Sequence, residues 1–101
     1  MLILCNCPSQ AAEMLVQKIM ATDLAASVNL ILGTKRSFRE KQSISTVEET
    51  MLFVITSDEK LEELMKKIVE IHPSEAPSLI SLHIYEGNSK FMRWMENNLY
   101  S

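Results

Sequence analysis

The chain has 101 residues, 47% of them hydrophobic and 23% charged, with a formal net charge of −3. That length suits one domain spanning residues 1–101, able to bury roughly 65% of its unfolded surface. So mild a negative charge gives no electrostatic case for nucleic acid or an anionic membrane surface, and no apolar run approaches the roughly 18 residues of a membrane span.

The opening stretch MLILCNCP is apolar, has no basic start and meets a proline at once. It reads as a first strand over 2–7 and not as a secretion signal. Ser9 is a candidate N-cap, and Ala12, Leu15, Val16, Ile19 and Met20 follow at helical spacing, which predicts a helix over about 9–22. Val28, Leu30 and Leu32 then alternate with their neighbours as a strand ending at Gly33. Residues 34–43 are polar and basic and read as a connection. A further strand is expected from Ile44 to Ile55, with Met51–Ile55 apolar at every position and so covered on both faces.

Thr56 with Glu59 has the spacing of a capping box. Leu61, Leu64, Met65, Ile68 and Ile71 make one helical stripe, and Glu62–Lys66 and Glu63–Lys67 read as a solvated face of paired charges. Ile80, Leu82 and Ile84 alternate with Ser81, His83 and Tyr85 in a last strand. Phe91, Trp94, Met95 and Leu99 then suggest a short third helix, with Trp94 in its core stripe.

The order β-α-β-β-α-β-α fits an α+β ferredoxin-like plan, βαββαβ with an added C-terminal helix. Its chirality places strand one beside strand three, with strands two and four at the edges of an antiparallel sheet whose helices share one face. Leu52, Val54, Leu79 and Tyr85 are assigned to the uncovered face. A bare apolar sheet face implies self-association.

The same topology brings the end of strand one and the end of the second helix to one pole. Cys5 and Cys7, two residues apart on a strand, face the same way. They lie about 6.6 Å apart along it, too far for an ordinary disulfide. Two free thiols point to a reducing compartment, the cytoplasm. His72 should join them at that pole, and thiolate with imidazole suits copper or zinc. The plainer reading makes both cysteines small buried hydrophobes and His72 a helix stop, because Pro73 disfavours an α conformation at the residue before it. Lys35, Arg36, Arg39 and Lys41 could hold an anion or simply face water. An enzyme is not expected: no Ser-His-Asp set and no glycine-rich phosphate loop is present, and Glu48 and Glu49, adjacent on a strand, point to opposite faces.

CNCP after the first strand, LAASVN at 24–29, the Glu48–Glu49 pair, HPSEAP at 72–77 and YEGNSKFMRWM at 85–95 together resemble the CutA family of divalent-cation tolerance proteins, over nearly the whole chain. The resemblance implies a ferredoxin-like subunit in a tight homotrimer with interwoven strands. It also implies a cytoplasmic protein that binds copper or a similar divalent cation, with Cys5 and His72 as metal ligands. Ile71 stands where the family has a second histidine, Ser27 where it has a cysteine, and Ser74 where it has a tyrosine after His-Pro. The aromatic loop of the family is reduced here to Phe38, Arg39 and Glu40. The function expected is therefore copper binding and cation tolerance. A trimer resembling the PII signalling proteins, binding a small molecule or a protein partner, is the second reading.

Overall fold

A computed structural model describes residues 1–100 of the chain. β1 covers Leu2–Cys7, and a 3-10 turn at Ser9–Ala11 leads into α1, Ala12–Met20. β2 (Ser27–Glu40) and β3 (Ser43–Ile55) form a hairpin; α2 (Asp58–Ile71), β4 (Leu79–Leu82) and α3 (Ser89–Tyr100) complete the chain. The sheet order is β2-β3-β1-β4, with every neighbouring pair antiparallel. This is the α+β ferredoxin-like order that the element sequence and right-handed crossovers dictate.

Cross-strand partners share a face of a sheet, so register decides what is buried. Cys5 pairs with Leu52 and Ile3 with Val54, while Leu4 pairs with Phe53 and Leu2 with Ile55. Ile3, Cys5, Cys7, Leu52 and Val54 are buried with Leu15 and Ile19 of α1 and Leu64 and Ile68 of α2, and Leu79 packs against the same cluster. This corrects the sequence assignment: Leu52, Val54 and Leu79 belong to the helix-covered core, and Tyr85 lies beyond β4 and is 94% exposed. The uncovered face exists, but its residues have the opposite parity: Leu4, Met51, Ile80 and Leu82, with Ile31 beside Met51. Met51–Ile55 is apolar at every position, so the alternation that would fix parity was absent, and a slip of one residue exchanges the faces.

The helices do not all share a face either. α1 and α2 cover one side, whereas Met95 and Leu99 of α3 pack on Ile55 and Ala26, with Leu2 and Phe53 beside them, on the other. α3 thus covers one end of the second face and leaves the rest open.

Residues 34–43, expected as a connection, are the outer half of the hairpin, paired from Thr34↔Glu49 to Glu40↔Ser43. The turn is short, with Lys41 at φ 56°. A register shift between Ile31 and Thr34 is absorbed at Gly33, whose φ of 70° suits glycine. The arm draws the molecule out to 47 Å along its longest axis, against 26 and 22 Å across.

Both expected caps fail for one reason: tertiary partners claimed the hydroxyls. Ser9 Oγ accepts from Thr50 Oγ1 at 3.0 Å, and Thr56 Oγ1 donates to the Leu24 carbonyl at 2.5 Å. α2 starts instead behind Ser57, without a side-chain cap bond. Its end is as expected. His72 takes an extended conformation, ψ 138°, while its N–H still closes the last turn on Ile68 at 2.9 Å.

Candidate functional site

Cys5 and Cys7 stand at the end of β1 on its core face, and both are free and buried. Burial is the main cause that pushes the Cys5 thiol up, from 9.0 to about 12, with the neighbouring Cys7 and Glu49 adding to it. Burial and then Glu49 also raise Cys7. Both are therefore thiols, not thiolates, at neutral pH.

α2 ends at the same pole, and its stop turns the His72 ring inward, where it is buried. Nδ1 lies 3.0 Å from the Ser74 backbone N–H, and Nε2 lies 2.8 Å from the Asn6 carbonyl. A backbone N–H can only donate, so Nδ1 accepts, and Nε2 carries the proton it gives to Asn6. His72 is a neutral imidazole with both nitrogens engaged. The Cys5 thiol donates to the same Asn6 carbonyl over 3.6 Å. One acceptor thus gathers both groups, so Cys5 Sγ and His72 Nε2 cannot lie further apart than 3.6 Å and 2.8 Å laid end to end.

Around them is a polar brace that the sequence did not announce. Asn6 Nδ2 reaches Glu49 Oε1 at 3.5 Å, and Arg36 Nε meets the same oxygen at 2.7 Å. The Arg36 guanidinium also lies 4.5 Å over the Phe38 ring. Of the four cations in the arm, Arg36 is thus committed to holding Glu49. The one clue was Asn6 itself, a polar residue between two cysteines in an otherwise apolar strand.

Thiol and imidazole are the right donor types for a soft cation. The pole as folded does not present them freely. An ion would have to displace the Cys5 proton and take Nε2 from the Asn6 carbonyl, and among the described residues no three His, Cys, Asp or Glu side chains gather to hold a metal. Ser27 is elsewhere, paired with Ile55 on the second face, and Ser74 Oγ accepts from the Ala76 N–H at 3.2 Å. Ile71 packs against the core. His83 is exposed beyond β4, far along the chain from this pole. A second concavity of about 630 Å³, largely apolar, opens between the uncovered face and α3, with Phe53, Leu82, Tyr85 and Phe91 in its wall.

The sequence model described as CutA1 divalent ion tolerance protein matches residues 1–98. A CutA homolog of Danio rerio is 34% identical over 93% of the chain, which spans 63% of that protein's length. The divalent-cation tolerance protein CutA of Thermus thermophilus is 27% identical, with 95% of this chain and 94% of that one covered. In fold, the CutA1 crystal structure from Ehrlichia chaffeensis superposes at TM-score 0.92 and 20% identity, covering 99% of this chain and 94% of that one. A family match over almost every residue, agreeing with the motifs at Cys5–Pro8, His72–Pro77 and Tyr85–Met95, places this chain in the CutA1 divalent ion tolerance family.

Proposed function

We infer that the chain is the single-domain subunit of a cytoplasmic homotrimer that binds a divalent cation, copper, and serves in tolerance of that ion by binding and not by catalysis. The observation that carries the metal reading is the Asn6 carbonyl, which draws the Cys5 thiol and the His72 imidazole to one point. Family membership supports cation handling, the uncovered apolar face supports assembly, and two unpaired cysteines support a reducing compartment. Cys5 and His72 are the ligands of this reading. Because each gives up a proton or a hydrogen bond to bind, affinity falls as pH falls, and binding is slower than at an open site.

Calorimetric titration of copper into the wild type, Cys5→Ala and His72→Ala tests the ligands, and sedimentation of the wild-type protein tests the assembly. Each variant should weaken binding by about tenfold or more. Unchanged stoichiometry and affinity in both would remove the site. A single-subunit mass at micromolar concentration would remove the trimer.

The cavity beside α3 favours a second reading, a PII-like regulatory or scaffold trimer whose ligand is a small, largely apolar molecule or a protein segment. A thermal-shift screen separates the two, since a ligand present at 100 times its dissociation constant adds about 2.7 kcal/mol.

A further inference from the structure

Asn6 belongs to both faces of the sheet. Its cross-strand partner is Met51 of the uncovered face, so its side chain leaves β1 on the side opposite Cys5 and Cys7. Its carbonyl meanwhile holds the Cys5 thiol and the His72 ring. That carbonyl is available because β4 pairs with β1 only from Leu2↔Leu82 to Cys5↔Leu79. Beyond Cys5, β1 is held by backbone pairing on the β3 side alone, at Asn6↔Met51 and Cys7↔Thr50. A strand end secured on one side is a place where a protein opens locally.

Side chains from the arm supply the missing support. Asn6 Nδ2 donates to Glu49 Oε1 at 3.5 Å, and Arg36 Nε donates to the same oxygen at 2.7 Å. The Phe38 ring backs the guanidinium from 4.5 Å. The Glu49 side chain is 13% exposed, so water competes little for its carboxylate. The pair also spans a weak point in the hairpin. The register shift between Ile31 and Thr34 interrupts the β2–β3 ladder just before Thr34↔Glu49, and Arg36, opposite Val47, reaches two residues along β3 to meet Glu49.

We propose that Arg36, Glu49 and the Asn6 side chain form a latch by which the β2–β3 arm sets how readily the Cys5–His72 pole opens. Arg36 and Glu49 are positioning residues. Among the described residues they hydrogen-bond neither the thiol nor the imidazole, and they act on both through Asn6. Closed, the latch keeps the Nε2 proton on the Asn6 carbonyl and the thiol in the core; open, it frees both groups. The consequence for ion uptake rests on the reading of Cys5 and His72 as ligands, whereas the latch itself does not.

The pole is probed first without a metal, by the rate at which its cysteines react with dithiodipyridine, whose thiopyridone leaving group reports each thiol consumed. Arg36→Gln and Asn6→Ala should each speed that reaction by up to about fivefold, the reach of one partly exposed ion pair. For Arg36 the sign decides the cause. Without its cation, Glu49 opposes a thiolate at Cys5 and Cys7 more strongly, so charge alone would slow the reaction. Because both residues act through one chain of contacts, the double variant should be no faster than the quicker single one. Arg39→Gln, which removes the same charge from an exposed place on the arm, should change nothing. The His72 Nε2 proton gives a readout free of thiol chemistry: its exchange with water, followed by nuclear magnetic resonance, should quicken in the same two variants. The Leu52 amide, in the middle of the sheet, should exchange as in the wild type. Unchanged or slower labelling in Arg36→Gln, rates that multiply in the double variant, or a quickened Leu52 amide overturns the latch. Zinc(II), which leaves thiols reduced, then tests the ion separately, and its uptake in stopped flow should quicken with the labelling. Faster labelling with zinc uptake unmoved keeps the latch and refutes Cys5 and His72 as ligands.

Discussion

The thiol of Cys5 holds its proton because it lies wholly inside the core and beside a second thiol and a carboxylate, none of which welcomes a new negative charge. The consequence for stability has a definite sign. The unfolded chain loses this proton near 9.0, and the folded chain keeps it to about 12. Between those values the native state binds more protons than the unfolded state, so stability falls as pH rises. The contribution of Cys5 is whole below about pH 9 and is progressively lost towards pH 12. Denaturant midpoints measured from about pH 8 to 10.5 should therefore decline more steeply in the wild type than in Cys5→Ala, which retains only the weaker push on Cys7. Parallel declines would show that the thiol is not held as described. At this scale the sequence was informative where geometry is local. Two residues apart on a strand, Cys5 and Cys7 had to face the same way, and Pro73 had to stop the helix at His72. It was silent where a side chain found a partner far along the chain. Thr56 looked like a cap by spacing, yet its hydroxyl satisfies the buried Leu24 carbonyl, which would cost about 1–3 kcal/mol if left without a donor. Glu49 and Arg36 likewise meet only because the hairpin register brings them together.

Among the elements, α3 shows how two stripes on one short helix can mislead. Phe91 and Trp94 are its largest apolar side chains and invite assignment to the core. They stay outside the core instead, stacked with ring centroids 5.8 Å apart, Phe91 42% and Trp94 46% exposed. The buried stripe is Met95 and Leu99, with Met92 partly buried beside them, at the same helical spacing but rotated. The far end is pinned by polar contacts: Tyr100 donates to Glu59 at 3.0 Å and so accepts from Ser57 at 2.6 Å, with the Lys60 ammonium 5.0 Å from the ring centroid. Leu99→Ala should therefore cost about 2–5 kcal/mol in chemical denaturation. Trp94→Ala should cost the isolated subunit no more than about 1 kcal/mol, as for a surface substitution. A larger loss at Trp94 than at Leu99 would mean that α3 docks through its other stripe. Strand existence and strand order were legible, since alternation, turn residues and crossover handedness determine them. Which parity faced the helices was not, because β3 offers apolar side chains in both directions.

The whole molecule is a sheet with one finished side and one unfinished. α1 and α2 close the first side; α3 closes an end of the second; Leu4, Met51, Ile80 and Leu82 remain on the open part, with Ile80 55% and Leu82 47% exposed. A net charge of only −3 does little to keep copies apart. The long β2–β3 arm gives each copy a limb that reaches beyond its own core. A closed symmetric assembly repeats every contact in each copy, so a single substitution acts several times over. In the proposed homotrimer, Ile80→Glu or Leu82→Glu would bury one unpaired carboxylate per subunit, at several kcal/mol each, while leaving the core between the sheet and α1–α2 untouched. The expected result is a sedimentation mass that drops to one subunit with an unchanged far-ultraviolet circular dichroism spectrum. Val69→Glu supplies the control: it places the same charge on the exposed side of α2, where Val69 is already 49% accessible, and should leave the mass as it was. If the charge on β4 leaves the mass intact while the charge on α2 dissociates the protein, the copies meet through the helices and the open sheet face has some other occupant.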